Sequence, residues 1–383
     1  MAFSRVLAVL AAVTALLVGC GHTSERPKSA PATSSARQIP PARAACGEPA
    51  AILAAMSTRD KLAQLLMVGV RNGDDAKAVV TDHHVGGIFV GSWTDLSMLT
   101  NGTVKNLSAS TALPVAISVD EEGGRVARLS SLIGPSPSPR VLAQTHTADE
   151  VYGIALDRGH QMRGLGITID FAPVVDVTDA PDGVIGDRSF GSDPAVVTAY
   201  AGAYARGLRD AGLLPVLKHF PGHGHGSGDS HTGEVTTPPL EALQNNDLVP
   251  YRTLVSAAPV GVMIGHLQVP GLTGDQPASL SKAAVELLRT GTGYKGPAFD
   301  GPVFSDDLSS MAAINQHYGV PEAVLRALQA GTDIALWVTT DEVPAVLDRL
   351  EKALAAGELT MPAVDASVVR IAKMKGPKPD CGP

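Results

Sequence analysis

The densest chemistry in the sequence is the run Lys218-His219-Phe220-Pro221-Gly222-His223-Gly224, followed by Asp229-Ser230-His231. Asp229 and His231 are two residues apart, so the carboxylate can reach the imidazole. Such a pair fixes the ring tautomer and favours its protonated form, which a general acid requires. Gly222, Gly224, Gly226 and Gly228 punctuate the same stretch. Glycine admits backbone angles closed to other residues, so this loop is expected to be mobile and to close on a ligand. Further ionisable residues stand at Asp120, Asp176, His266 and the pair Asp306-Asp307.

These side chains need a frame that gathers them. Short apolar, β-branched runs supply it at 65–70, 85–90, 114–120, 166–176 (its first half), 213–220, 261–266, 301–307 and 333–337. Between them, 147–163, 194–211, 240–256 and 320–330 have the length of crossover helices. Strands alternating with helices predict an α/β fold with a parallel sheet covered on both faces. Eight such units predict closure into a (β/α)8 barrel as a single catalytic domain. The competing fold is a doubly wound open sheet. It lacks support because no glycine-rich dinucleotide fingerprint follows the first run, and Gly123-Gly124 after the third has the wrong spacing.

The barrel reading explains where the ionisable residues fall. Asp120 ends the third run, Asp176 lies beyond the fourth, and Lys218 and His219 end the fifth. His266 ends the sixth, and Asp306 and Asp307 end the seventh. In a barrel these ends converge on one mouth, the catalytic face. Gathering so many charges at one rim costs stability unless they are paired or bind something. His83 and His84 precede the second strand, so they are expected at the surface of the opposite face.

Composition sets the outer limits. Hydrophobic residues make up 44% of the 383 and charged residues 18%, which suits a large core. Aromatics are only 4%, so that core must be mostly Val, Leu, Ile and Ala. The formal charge of −8, with no basic stripe, argues against a nucleic-acid partner. At the N-terminus, Arg5 precedes an apolar run over 6–18 that is too short for a comfortable membrane span. Leu17-Val18-Gly19-Cys20 resembles a bacterial lipobox, which implies cleavage of a signal over 1–19 and lipidation of Cys20. Residues 20–45, rich in Ser, Pro and Ala, read as a flexible tether. The predicted domain is 46–376, with a tail over 377–383. Cys46 and Cys381 bracket that domain, and an exported chain meets oxidising conditions, so a disulfide between them is expected.

The motifs together resemble family 3 glycoside hydrolases of the β-N-acetylhexosaminidase type. The resemblance rests first on Lys218 to Gly224 with Asp229-Ser230-His231. It extends to Val119-Asp120-Glu121-Glu122-Gly123-Gly124-Arg125-Val126 with Arg128, and to Asp170-Phe171-Ala172-Pro173-Val174-Val175-Asp176-Val177. Ile185-Gly186-Asp187-Arg188-Ser189-Phe190-Gly191 and Phe304-Ser305-Asp306-Asp307-Leu308 complete it, all in the family's order. It implies a retaining mechanism with Asp306 as nucleophile and His231, assisted by Asp229, as acid/base. It also implies that Asp120, Arg128, Arg188, Lys218 and His219 grip the sugar, and that His266 lines the site. His223 and His225 are expected to shape the loop, and Asp307 to take a helix N-cap role.

The implied substrate is a saccharide or muropeptide with terminal β-linked N-acetylglucosamine (GlcNAc), met by a monomer held at the membrane through Cys20. No cofactor or metal is implied. Three other readings stay open at this point. His219, His223, His225, Asp229 and His231 are rich enough in ligands for a metal hydrolase. A non-catalytic sugar-binding lipoprotein would use the same tether. A neutral histidine base would also admit phosphate, giving a phosphorylase.

The expected disulfide closes a very long loop and by chain entropy adds up to about 5 kcal/mol. On a non-reducing gel the mature protein should migrate faster than its reduced form, and Cys46→Ser should abolish the difference.

Overall fold

Eight short parallel strands form the predicted sheet: β1 Leu66–Gly69, β2 Gly87–Val90, β3 Ala116–Val119, β4 Ile169–Asp170, β5 Leu214–Phe220, β6 Gly261–Ile264, β7 Val303–Ser305 and β8 Ala335–Trp337. They are seen in a computed structural model that describes residues 47–257 and 259–376. Cys20, Cys46 and Cys381, with the signal, tether and tail, lie outside the described residues. The strand order is β8-β1-β2-β3-β4-β5-β6-β7. A parallel bridge between Phe304 and Ile334, and the bond from Ser305 N to Ile334 O at 3.0 Å, bring β7 back to β8. The sheet is therefore a closed (β/α)8 barrel, and the open alternative falls.

Every barrel strand is buried along its whole length, which is why the strands read as continuous apolar runs rather than alternating ones. Rings from separate staves meet within the core. Phe171 lies 5.8 Å from Phe89 and 5.5 Å, edge-on, from Phe304. With aromatics so few, these contacts stiffen a core otherwise made of aliphatic side chains.

The crossover helices follow local signals. Ala148–Gly164 starts at a capping box, in which Thr147 and Glu150 satisfy each other's backbone N–H. Pro194–Asp210 begins with proline in its first turn and Asp193 as cap. Val320–Ala330 ends on Gly331 in the left-handed region, at φ 108°. The stretch 240–256 departs from expectation. It forms two pieces, Leu240–Asn245 and Tyr251–Leu254. Proline at 250 has no N–H to give, and Asn246 leaves the helical region at φ −135°, ψ −83°.

After β3 the chain makes a hairpin not anticipated from the sequence, Glu121–Gly123 paired with Val126–Ala127. Gly123 and Gly124 turn it with φ of 93° and 57°. The hairpin carries Glu122 to the floor of the mouth and Arg125 to its rim. Beneath it, Glu121 is fully buried and accepts from Arg158 Nη2 at 2.5 Å and from Leu129 N at 2.7 Å.

One surface expectation needs correcting. His84 is 6% exposed, with Nδ1 2.7 Å from Asp60. It ends helix Gly73–His83 in the left-handed conformation, which turns the ring inward.

Removing one partner of a buried ion pair strands the other. Arg158→Met should cost about 3–5 kcal/mol in denaturant unfolding. A loss under about 1 kcal/mol would mean that Glu121 relies on other partners.

Candidate active site

The strand C-termini surround a cavity of about 390 Å³. Its floor includes Lys218, His219, Met263, Asp306, Met311 and Leu336, and its rim includes Trp93, Arg125, Val184, His231 and Val338. Asp306 and His231 thus face one space, as the sequence predicts.

Asp306 sits just past β7. Its N–H donates to Ile264 O at 3.1 Å, and its Oδ1 accepts the Asp307 N–H at 2.9 Å. Burial pushes this carboxyl up. His266 and His219 beside it, the Asp307 N–H and the Lys218 ammonium outweigh burial and hold it below its ordinary value. Asp306 is therefore an anion on a rigid stave. Asp307 takes the capping role, but for a turn rather than a helix. It accepts from Ser309 N and Oγ at 2.8 Å and from Ser310 N at 3.2 Å.

His231 and Asp229 form the expected pair. Nδ1 lies 2.8 Å from Asp229 Oδ1, and the His231 N–H donates to the same oxygen at 3.0 Å. The carboxylate acceptor assigns a proton to Nδ1 and leaves Nε2 outside the pair. Burial nudges Asp229 up, but the His231 N–H and ring outweigh it and keep it below the usual carboxylate range.

The loop around this pair is more ordered than its glycines suggest. Gly224 lies against Val177, where a Cβ would stand 1.9 Å from the carbonyl oxygen. At Gly222, φ is 137°, and a Cβ would meet Asp247 at 2.3 Å. At Gly226 a Cβ would stand 2.7 Å from Val235, so three of the four glycines permit close approach rather than mobility. His225 shapes the loop as expected, with Nδ1 3.1 Å from buried Asp247. His223 donates its N–H to Asp176 at 2.7 Å.

On the floor, one chain of charges runs from group to group. Lys218 Nζ lies 2.6 Å from Asp120 and 2.7 Å from Glu122. Arg188 grips Glu122 with two bonds, at 2.7 and 2.8 Å, and points Nη2 at His219 Nε2 from 3.5 Å. His219 Nδ1 in turn lies 2.7 Å from Asp176, whose other oxygen accepts the His219 and His223 N–H groups. Asp120, Arg188, Lys218 and His219 are thus brought together as predicted. Arg128, half-buried in the same wall, has no ion-pair or hydrogen-bond partner among the described residues, so its donors are free for a ligand.

His266 departs from expectation. It is 1% exposed and does not line this cavity. Nε2 meets the Asp307 carbonyl at 2.7 Å and Nδ1 meets the Ser279 hydroxyl at 2.7 Å. Burial pushes its pKa down, and the ring braces the Asp306-Asp307 backbone from behind. Glu122 is the residue missed as a site member, and Asp176, placed at the mouth, was given no role. Both were visible in their motifs, but nothing in spacing reveals that one bridges two cations and the other holds His219. The histidines of the proposed metal cluster are spread over separate carboxylates, Asp176, Asp247 and Asp229. Among the described residues no three His, Cys, Asp or Glu side chains are grouped to hold a metal ion.

A barrel presenting an aspartate and a carboxylate-held imidazole on one cavity holds a nucleophile and a proton donor of the kind that cleavage of a glycosidic bond uses. The family model for the glycosyl hydrolase family 3 N-terminal domain matches residues 57–374. The chain belongs to that family and is a glycoside hydrolase of the β-hexosaminidase type. It is 69% identical to beta-hexosaminidase LpqI of Mycobacterium tuberculosis over 390 aligned positions, covering all of both chains. A solved family 3 glycosyl hydrolase of Mycobacterium smegmatis is 74% identical, with a TM-score of 0.84 over 85% of this chain and 99% of that one. A family 3 β-N-acetylglucosaminidase of a Paenibacillus species is 34% identical, with a TM-score of 0.78 over 84% of this chain and 62% of that one.

The floor network sets an acid limit to stability. For both Glu122 and Asp176, burial raises the pKa, and the adjoining cation or imidazole more than offsets it. A group depressed in the folded state stabilises above its unfolded pKa of about 4 and loses that contribution as pH falls further. Melting temperature should therefore drop steeply below about pH 4. Glu122→Gln should shallow that drop while lowering stability at neutral pH, because Lys218 and Arg188 lose their shared anion. Parallel pH–melting curves for the two proteins check this.

Proposed function

We propose that the enzyme removes terminal β-linked GlcNAc by a retaining, two-step mechanism. The carrying observation is that Asp306, held anionic at the end of β7, shares one cavity with the Asp229–His231 pair. In the first step an Asp306 oxygen attacks the anomeric carbon, and the bond to the leaving oxygen breaks as His231 protonates it. In the second, His231 takes a proton from water, the hydroxide attacks the same carbon, and the aspartate leaves.

Asp120, Lys218 and Arg188 offer fixed charges to ring hydroxyls, and His219 is fixed beside them by Asp176. Arg128 has unpaired donors suited to an acetamido or hydroxyl oxygen. The lipobox-like Leu17-Val18-Gly19-Cys20 supports an exported, membrane-held enzyme, which would meet cell-wall fragments in which GlcNAc is joined to N-acetylmuramic acid. The names of the relatives support the hexosaminidase part of this reading.

Release of chromophore from an aryl β-GlcNAc, with little from the matching β-glucoside, is the expected specificity. In phosphate buffer the product should be free GlcNAc and not its 1-phosphate. Asp306→Ala should abolish turnover, and peptide mass after acid quench should place a glycosyl adduct on Asp306 of the wild type. His231→Ala should lose about 10²- to 10⁴-fold, and less with a good leaving group that needs no proton. Full activity in Asp306→Ala would end the retaining mechanism.

A further inference from the structure

Trp93 stands out among the exposed side chains. Of the large hydrophobic residues exposed among those described, it alone is aromatic, at 45% exposure, and it alone lines the catalytic cavity. It sits on the turn after β2, and that turn is built to hold it. The Gly91 N–H donates to Thr94 Oγ1 at 3.0 Å, Thr94 N donates back to Gly91 O at 3.2 Å, and Thr94 Oγ1 donates to Val70 O at 2.6 Å. The indole lies across the Gly91 backbone. A Cβ at 91 would stand 2.3 to 2.5 Å from three atoms of its six-membered ring. Phe89 supports it from below, with centroids 6.0 Å apart. A large apolar ring is thus fixed against the protein and left half open to solvent on the wall of the catalytic cavity.

Depth decides what it serves. The groups suited to the first sugar are buried: Lys218 is 2% exposed, His219 6% and Asp306 9%. The His231 side chain, which must meet the leaving oxygen, is 58% exposed at the rim. The bond to be cut therefore lies at the boundary between floor and rim, and the leaving portion emerges among the rim residues. There Trp93, Val184 and Val338 line the walls beside Arg125. A pyranose carries axial C–H groups on its faces, and a rigid aromatic face is the surface that accepts them without a conformational-entropy cost.

We infer that Trp93 is the platform for the sugar on the leaving-group side, making the enzyme selective for β-linked disaccharides or longer chains over small aglycones. This rests on the hydrolase reading above. It predicts a split between substrates that a structural role would not produce. Trp93→Ala should lower kcat/KM about 3- to 12-fold for a GlcNAc–GlcNAc or GlcNAc–N-acetylmuramic acid disaccharide. The same variant should stay within about 2-fold of wild type on GlcNAc β-fluoride, whose leaving group cannot stack. Trp93→Phe should restore part of the disaccharide rate. An independent readout comes from emission, because the second tryptophan, Trp337, is fully buried. A thio-linked, uncleavable disaccharide should shift the tryptophan emission of wild type far more than free GlcNAc does, and Trp93→Phe should lose that shift. Equal losses on fluoride and disaccharide, or no loss on either, would overturn the platform while leaving the hydrolase reading intact. Wild type that cleaves neither substrate would instead bring down the reading on which it rests.

Discussion

Everything at the mouth depends on keeping unscreened charges from standing alone. Asp120, Lys218, Glu122, Arg188, His219 and Asp176 are joined end to end, and four of them are almost wholly excluded from water. Pairs of this kind add little net stability, because desolvation consumes most of their attraction. Their persistence is better explained by what they prepare. A ligand with hydroxyl and amide groups meets donors and acceptors already fixed, so little reorganisation is left for the moment of binding or reaction. The closed barrel is what makes this tolerable, since it fixes Lys218 and His219 on β5 and brings the segments that follow β3 and β4 against them.

Much of the frame was legible because barrel strands are buried on both faces. Their apolar runs are continuous, and the residues at their ends are conspicuous by contrast. The failures share a cause: they turn on what a side chain meets in space. His266 ends a strand as a site residue should, yet its ring is turned to the Asp307 carbonyl and Ser279. His84 sits at the far face as read, but a left-handed residue folds it inward onto Asp60. The stretch 240–256 has helical spacing throughout, and only the missing N–H of Pro250 and the turn at Asn246 divide it. Glu122 was in plain view within its motif, but no sequence rule says that it serves two cations at once.

The loop bearing His231 shows the same limit for glycine. Composition read it as mobile, whereas Gly222 and Gly224 are there because Asp247 and Val177 leave no room for a side chain. The segment just after Asp306 holds the loop as well. Ala312 and Ala313 donate their N–H groups to the carbonyls of His231 and Ser230, at 3.4 and 3.2 Å. The two groups assigned to the chemistry are therefore tied through a few backbone bonds. Their separation is set by the fold rather than left to the excursions of a free flap.

That arrangement bears on why an imidazole, not a second carboxylate, stands opposite Asp306. The floor already gathers Asp120, Glu122, Asp176, Asp306 and Asp307 against Lys218, Arg188 and Arg128. Another carboxylate at close range would push Asp306 toward its protonated form, since like charges in a poorly solvated site resist joint ionisation. The Asp229–His231 pair avoids this by distance and exposure. Its negative charge sits behind the ring, on a carboxylate 35% exposed to water, while the face toward the cavity is a nitrogen that can carry or release a proton. Asp306 can then remain an anion while proton transfer proceeds on the other side of the cavity. The proposed mechanism thus gains its acid without weakening its nucleophile.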